Sequence, residues 1–207
     1  RLTFGANALQ ATDTVNAGNG TDTIVISADG TAVATGVRNA EILNLATLVD
    51  VTALDLTGSG ITSVTGAGTT VSNETIVFAD VAQTGISIDL GAGTADKVTL
   101  GNATNSITTT NVESVTGGTG ADTMVVNAAG TTAITVTGAG GNDTITVDVC
   151  DSGNGCTMAT FTFQILPLND APQNQNTQLA LPEDTAIQGS LSSLVNDADD
   201  ESFAFSV

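Results

Sequence analysis

Short runs of alternating apolar and polar residues recur along the chain, each introduced by a turn. Four of them follow one phrase, a glycine-rich turn, then an acid, then the alternating run: AGNGTDTIVI (17–26), GAGTADKVTL (91–100), GGTGADTMVV (117–126) and GAGGNDTITV (138–147). A weaker copy is GAGTTVSNETIVF (66–78), and a copy without glycines surrounds Asp50 in LATLVDVTALDL. Alternation with period two is the mark of a strand with one buried face, and glycine supplies the turn. The chain therefore predicts many short strands and no long helix.

The acids at the equivalent position are Asp22, Asp50, Glu74, Asp96, Asp122 and Asp143, spaced by 28, 24, 22, 26 and 21 residues. A second phrase lies between them, RNAEILNL (38–45) with Glu41 and TNVESVTG (110–117) with Glu113. A repeat in the low-to-mid twenties is longer than a hairpin and suits the coils of a parallel β-solenoid. Six coils stacked at ~4.8 Å would extend roughly 29 Å. An antiparallel sandwich of hairpins is the alternative with similar turn spacing. The expected fold is all-β, an irregular, β-roll-like parallel solenoid over 1–142, then a β-hairpin over 143–166.

Composition sharpens this picture. Of 207 residues, 41% are apolar, with no Trp or Tyr, so the core is expected to consist of Val, Ile, Leu and Ala. The formal net charge is −19, and Arg1, Arg38 and Lys97 are the only basic residues. Nucleic acid and anionic membrane surfaces are poor partners for such a chain. Carboxylates at patterned positions instead suggest hard divalent cations, Ca²⁺ above all. Histidine is absent, which removes the commonest general base and the commonest transition-metal ligand. With no G-x-S-x-G phrase either, the chain reads as non-enzymatic. No apolar run is long enough to cross a bilayer. The opening, RLTFGANALQ, reads as an internal fragment or a processed product.

The glycine turns resemble the RTX nonapeptide G-G-x-G-x-D-x-U-x, with U a large apolar residue. Residues 117–125 match every fixed position, residues 17–25 replace the first glycine with Ala17, and residues 138–146 replace the second with Ala139. Residues 91–99 lose two of the glycines. The resemblance implies calcium held by turn carbonyls and by Asp13, Gly18, Gly20 and Asp22, by Gly118, Gly120 and Asp122, and by Gly141 and Asp143. Only Asp13 and Asp22 have the family's nine-residue spacing, so its full calcium ladder does not carry over. The texture is most similar to S-layer and giant adhesin segments.

All three prolines lie in the last 41 residues, which marks a boundary near 166. Before it, Cys150 and Cys156 flank the DSGNG loop of the hairpin, a placement that predicts a disulfide and an oxidising compartment. After it, LPLNDAPQ (166–173) and LPEDTAIQGSLSSLVNDADDESFAFSV (181–207) resemble the junction of bacterial cadherin-like repeats. That resemblance implies an incomplete Ig/cadherin-like β-sandwich segment over 167–207. It also implies junction calcium at Asn169, Asp170, Glu183, Asp184, Asp197, Asp199 and Asp200. The expected function is an extracellular, calcium-stabilised structural or adhesive module of a bacterial surface or fibre protein. Its expected partners are copies of itself, neighbouring repeats of the same protein, or a surface polysaccharide. A calcium-triggered secretion or folding module of an enzyme or toxin is the alternative.

Overall fold

The computed structural model describes residues 1–46, 49–68, 73–127, 133–150, 156–157, 163–165, 173–174 and 195–196. In chain order the strands are β1 (Leu2–Phe4), β2 (Val15–Asn16), β3 (Thr23–Ile26), β4 (Gly30–Val33), β5 (Val37–Arg38), β6 (Ile42–Leu45) and β7 (Val51–Asp55). Then come β8 (Ser63–Thr65), β9 (Thr75–Phe78), β10 (Thr84–Asp89), β11 (Lys97–Thr99), β12 (Ser106–Thr110), β13 (Ser114–Thr116), β14 (Thr123–Asn127) and β15 (Thr135–Thr137). The last are β16 (Asp143–Cys150), β17 (Cys156–Thr157), β18 (Phe163–Ile165), β19 (Gln173–Asn174) and β20 (Val195–Asn196). The chain divides into two units, Arg1–Leu166 and Pro167–Val207.

The first unit is a parallel β-solenoid. From β3 onward the chain alternates between two sheets. One runs β1-β3-β6-β8-β10-β12-β14-β16, and the other runs β4-β7-β9-β11-β13-β15. Each coil between β3 and β15 contributes one strand to each sheet, and every pairing within these runs is parallel. A short third face is made by β2 and β5, also parallel. Antiparallel pairing begins only where β17 and β18 fold back onto β16. Strand β16 is thus both the last parallel strand and the first arm of the hairpin.

Period-two alternation turns one residue in two inward, and in-register stacking lines those residues up. In the first sheet Ile24, Leu43, Val64, Ile88, Thr109, Val126 and Val147 form one ladder. Ile86, Ile107, Met124 and Ile145 form a second. In the other sheet Val51, Ile76, Val98, Val115 and Val136 stack, as do Ala32, Leu54 and Phe78. These ladders are most of the core, and each aliphatic side chain buried in them contributes about 1.5–3 kcal/mol.

Coil length varies, yet register is kept. Part of the variation is absorbed at β10, where the pairing shifts between Thr84 and Ile86. Gly85 sits at that bulge with φ 69°, a conformation that costs glycine little.

Two expectations change here. The first is the Cys150–Cys156 disulfide. Cys150 and Cys156 are direct partners across the β16–β17 pair, but among the described residues no Sγ–Sγ bond is found. The antiparallel ladder alone brings the two backbones together, so the hairpin accounts for the loop-flanking spacing without a bond. The second is the sandwich after residue 166. Among the described residues the one pairing there is the antiparallel ribbon β19–β20, and no Ig/cadherin-like sandwich is identifiable in the sheets.

Candidate functional site

The polar residue just before each strand is the recurrent chemical feature of the solenoid. Before the strands of the first sheet stand Asp22, Glu41, Thr62, Gln83, Asn105 and Asp122, and Asp143 opens β16. Before strands of the second sheet stand Asp50, Glu74, Asp96 and Glu113. The acids read as one series along the sequence are therefore two columns on the two sheets. The long intervals, Asp22 to Asp50 and Asp96 to Asp122, step from one column to the other. Within the first column successive members are 17 to 22 residues apart, which is the true coil length.

These side chains bracket one coil to the next. In the first column Glu41 Oε2 accepts the Asp22 N–H at 2.9 Å. Asn105 Oδ1 accepts the Gln83 N–H at 3.0 Å, Asp122 Oδ1 the Asn105 N–H at 2.8 Å, and Asp143 Oδ1 the Asp122 N–H at 2.9 Å. In the second, Asp96 Oδ1 accepts the Glu74 N–H at 2.7 Å and Glu113 Oε2 the Asp96 N–H at 2.8 Å. The backbone carbonyls of Asp22, Gln83, Asn105, Asp122, Asp96 and Glu113 accept N–H groups from the following coil. A corner residue thus gives its carbonyl to the next coil's backbone and its N–H to the next coil's side chain.

The need for an acceptor is physical. The N–H of each bracketed corner residue is taken by a side chain and not by the sheet ladder, in a buried or part-buried setting. An unpaired buried N–H costs about 1–3 kcal/mol, and a hydrogen bond to a charged acceptor is stronger than a neutral one. Asp, Glu, Asn and Gln all supply the acceptor. Asn105 does so without charge, while the Gln83 Oε1 takes the Leu56 N–H just after β7 at 3.3 Å; Asp143, Asp122, Asp96 and Glu74 are all 0–1% exposed.

The motif glycines fall into two groups. Gly18, Gly20 and Gly141 have φ of 101°, 115° and 92°, where a side chain is strained. Gly118 and Gly120 are not in that region. A Cβ on Gly118 would strike the backbone of Gly101 and Asn102, and one on Gly120 the backbone of Ala103 and Thr104. On the other side Gly140 N–H reaches Gly118 O at 3.1 Å. Turns 101–105, 117–122 and 138–143 are therefore stacked directly, although 17 and 21 residues separate their corner residues. Sequence spacing does not keep these turns apart, because one coil of any length returns the chain to the same corner.

The candidate calcium residues are placed as follows. Asp122 is engaged at both oxygens, Oδ1 by the Asn105 N–H and Nδ2 and Oδ2 by the Gly118 N–H at 3.0 Å. Asp143 Oδ2 and Asp22 Oδ2 are buried and meet no donor. Burial holds the Asp143 carboxyl above its ordinary range, and the nearby Asp122 charge adds to the effect. Asp13 closes a local turn, accepting the Gln10 N–H at 2.8 Å, and is not bonded to Asp22. Asn169, Asp170, Glu183, Asp184, Asp197, Asp199 and Asp200 lie outside the described residues. Among the described residues no three His, Cys, Asp or Glu side chains converge on a point that could hold a metal ion, and no helix is long and apolar enough to cross a membrane.

The brackets of Glu41 and Glu113 and the roles of Gln83 and Asn105 are not visible in the glycine motif. The signal that finds them is simpler: one residue with a side-chain acceptor immediately before each alternating run. No family model, no curated protein and no solved structure matches this chain.

Proposed function

We propose that this chain is a structural segment of an extracellular bacterial surface or fibre protein, with its coils held in register from within and stiffened by calcium. The observation that carries the reading is the pair of corner columns. The buried polar groups are spent on joining coil to coil, which is what a load-bearing element needs. The chain has no histidine, and we read it as non-catalytic.

Among the described residues two places support the calcium part. Asp143 Oδ2 and Asp22 Oδ2 are buried acceptors in motif turns with no donor, so the chemistry there fits a hard cation completed by turn carbonyls. Asp122 fits less well, because N–H groups already occupy both of its oxygens. Extracellular placement rests on the acid excess and on the motif resemblance, without support from a disulfide. Neighbouring repeats of the same protein, or a second copy of the chain, are the proposed partners. Strand β15 supports this, since among the described residues it pairs with β13 alone in its sheet, and an open edge accepts a strand. A surface polysaccharide is the proposed adhesion target.

Calorimetric melting with Ca²⁺ and with EDTA tests the calcium reading, because a ligand specific to the folded state raises the midpoint. Asp143→Asn should abolish most of that rise. An equal midpoint in Ca²⁺ and EDTA would remove calcium and leave the bracketed solenoid as the function.

A further inference from the structure

The second column contains a reversal that the first lacks. Above Glu74 the brackets point down the column: Asp96 reaches back to the Glu74 N–H, and Glu113 to the Asp96 N–H. Below Glu74 they point up. Asp50 Oδ1 accepts the Thr75 N–H at 2.7 Å, and Asp29 Oδ1 accepts the Asp50 N–H at 2.9 Å. The two directions meet at Glu74. The Asp50 N–H, which a bracket from Glu74 would take, is already held by Asp29. What joins Glu74 and Asp96 is the bracket itself, Asp96 Oδ1 on the Glu74 N–H at 2.7 Å, which sets two carboxyl groups at neighbouring corners of the same column.

Both residues are 0% exposed and open β9 and β11, the middle pair of the six-stranded sheet. Two ionised carboxylates offer only acceptors and repel each other, so a buried neighbouring pair is relieved by a proton held on one of them. We propose that Glu74 and Asp96 share one proton in the folded chain, and that loss of this proton loosens the solenoid at the centre of its second sheet.

The surroundings favour the protonated pair. Asp50 and Glu113 are the carboxylates on either side, and Asp29 lies one step beyond Asp50. Lys97 follows Asp96 but is exposed on the outer face of β11, with Thr75 and Ser114 as its register neighbours. No cation enters the column among the described residues. Asp96 Oδ2 is buried and meets no hydrogen-bond partner. Burial is the main cause that pushes the Asp96 carboxyl up to about 7, with the charges of Glu74 and Glu113 adding to it. The device is thus poised near neutrality and is independent of the calcium reading, which concerns the other column.

The test uses the whole chain. Infrared spectra of the folded protein, taken about one unit below and one unit above pH 7, should show a protonated-carboxyl C=O band in the first and its loss in the second. Asp96→Asn should remove that band. It should also flatten the fall in melting temperature that the wild type shows as pH rises from the acid side up to about 7. Glu74→Gln is the second variant, and it should move the same band and the same slope if Asp96→Asn does not fold. The proposal is overturned if the folded wild type shows no such band on the acid side. It is equally overturned if band and slope are unchanged in whichever variant folds.

Discussion

Asp122 is the best single probe of the bracket. Its Oδ1 holds the Asn105 N–H at 2.8 Å and the Asn105 side-chain amide at 3.0 Å, and its Oδ2 holds the Gly118 N–H at 3.0 Å. Asp122→Ala removes all three at a site that is 1% exposed. The Asn105 amide keeps two other acceptors, Gly101 O at 3.0 Å and Ala103 O at 2.6 Å. Two backbone N–H groups are then orphaned, at about 1–3 kcal/mol each. Relief of repulsion with Asp143 returns part of this, so a net loss of ~2–4 kcal/mol is expected. That is a large share of the 5–15 kcal/mol typical of a folded domain. Urea denaturation in EDTA measures it as a lower midpoint at unchanged m. Asp122→Asn keeps the acceptor for Asn105 but turns an amide donor towards Gly118, and should lose roughly half as much. A loss under about 1 kcal/mol for Asp122→Ala would refute the bracket. So would a loss present in Ca²⁺ and absent in EDTA, which would make Asp122 a calcium ligand instead.

Thr109→Val should stabilise the solenoid by ~1 kcal/mol, because the buried Thr109 hydroxyl has no partner in an otherwise aliphatic ladder; thermal melting reads the rise. Leu54→Ala should cost about 2–5 kcal/mol in urea denaturation, since Leu54 is 0% exposed between Ala32 and Phe78. Gly141→Ala should cost ~1–3 kcal/mol by the same assay, through its φ of 92° and a Cβ 2.5 Å from Gly120 O, whereas Gly5→Ala, with open space around it, should be near neutral. Stability should fall as pH rises from the unfolded value of 3.8 to about 7, because the folded chain keeps the Asp96 proton that the unfolded chain has released. The slope from this one proton is ~1.4 kcal/mol per pH unit, and Asp143, also raised by burial, steepens the lower part of the window.

Much of the solenoid is legible from local pattern. TDTIV, GADTMVV and NDTITV carry alternation, a turn and a corner acid within ten residues, and each becomes a strand of the first sheet. The NVE and NAE phrases are legible as a second element, and the structure places Asn39 and Asn111 at φ 56° and 54°, turning the corner two residues before Glu41 and Glu113. What misleads is counting acids as one series, because sequence spacing does not say which sheet a corner belongs to. The disulfide misleads for a related reason: two cysteines six residues apart fit a hairpin with or without a bond. Gln83 and Asn105 escape because their role depends on an oxygen facing a particular N–H, and neither charge nor glycine marks it.

The sequence by itself determined the class of the fold. Period-two apolar runs separated by glycine turns can bury their faces only by stacking, and an acid-rich chain without histidine has a narrow chemistry. Tertiary structure decided what each acid does. Asp122 is saturated by N–H groups, Asp143 keeps one buried oxygen open, and Asp96 leans on Glu74, although all three follow glycine turns or alternating runs that look alike. The physical reason is that a buried carboxylate is defined by the donors of the neighbouring coil. Those donors lie 17 to 22 residues away in sequence and one strand spacing away in space.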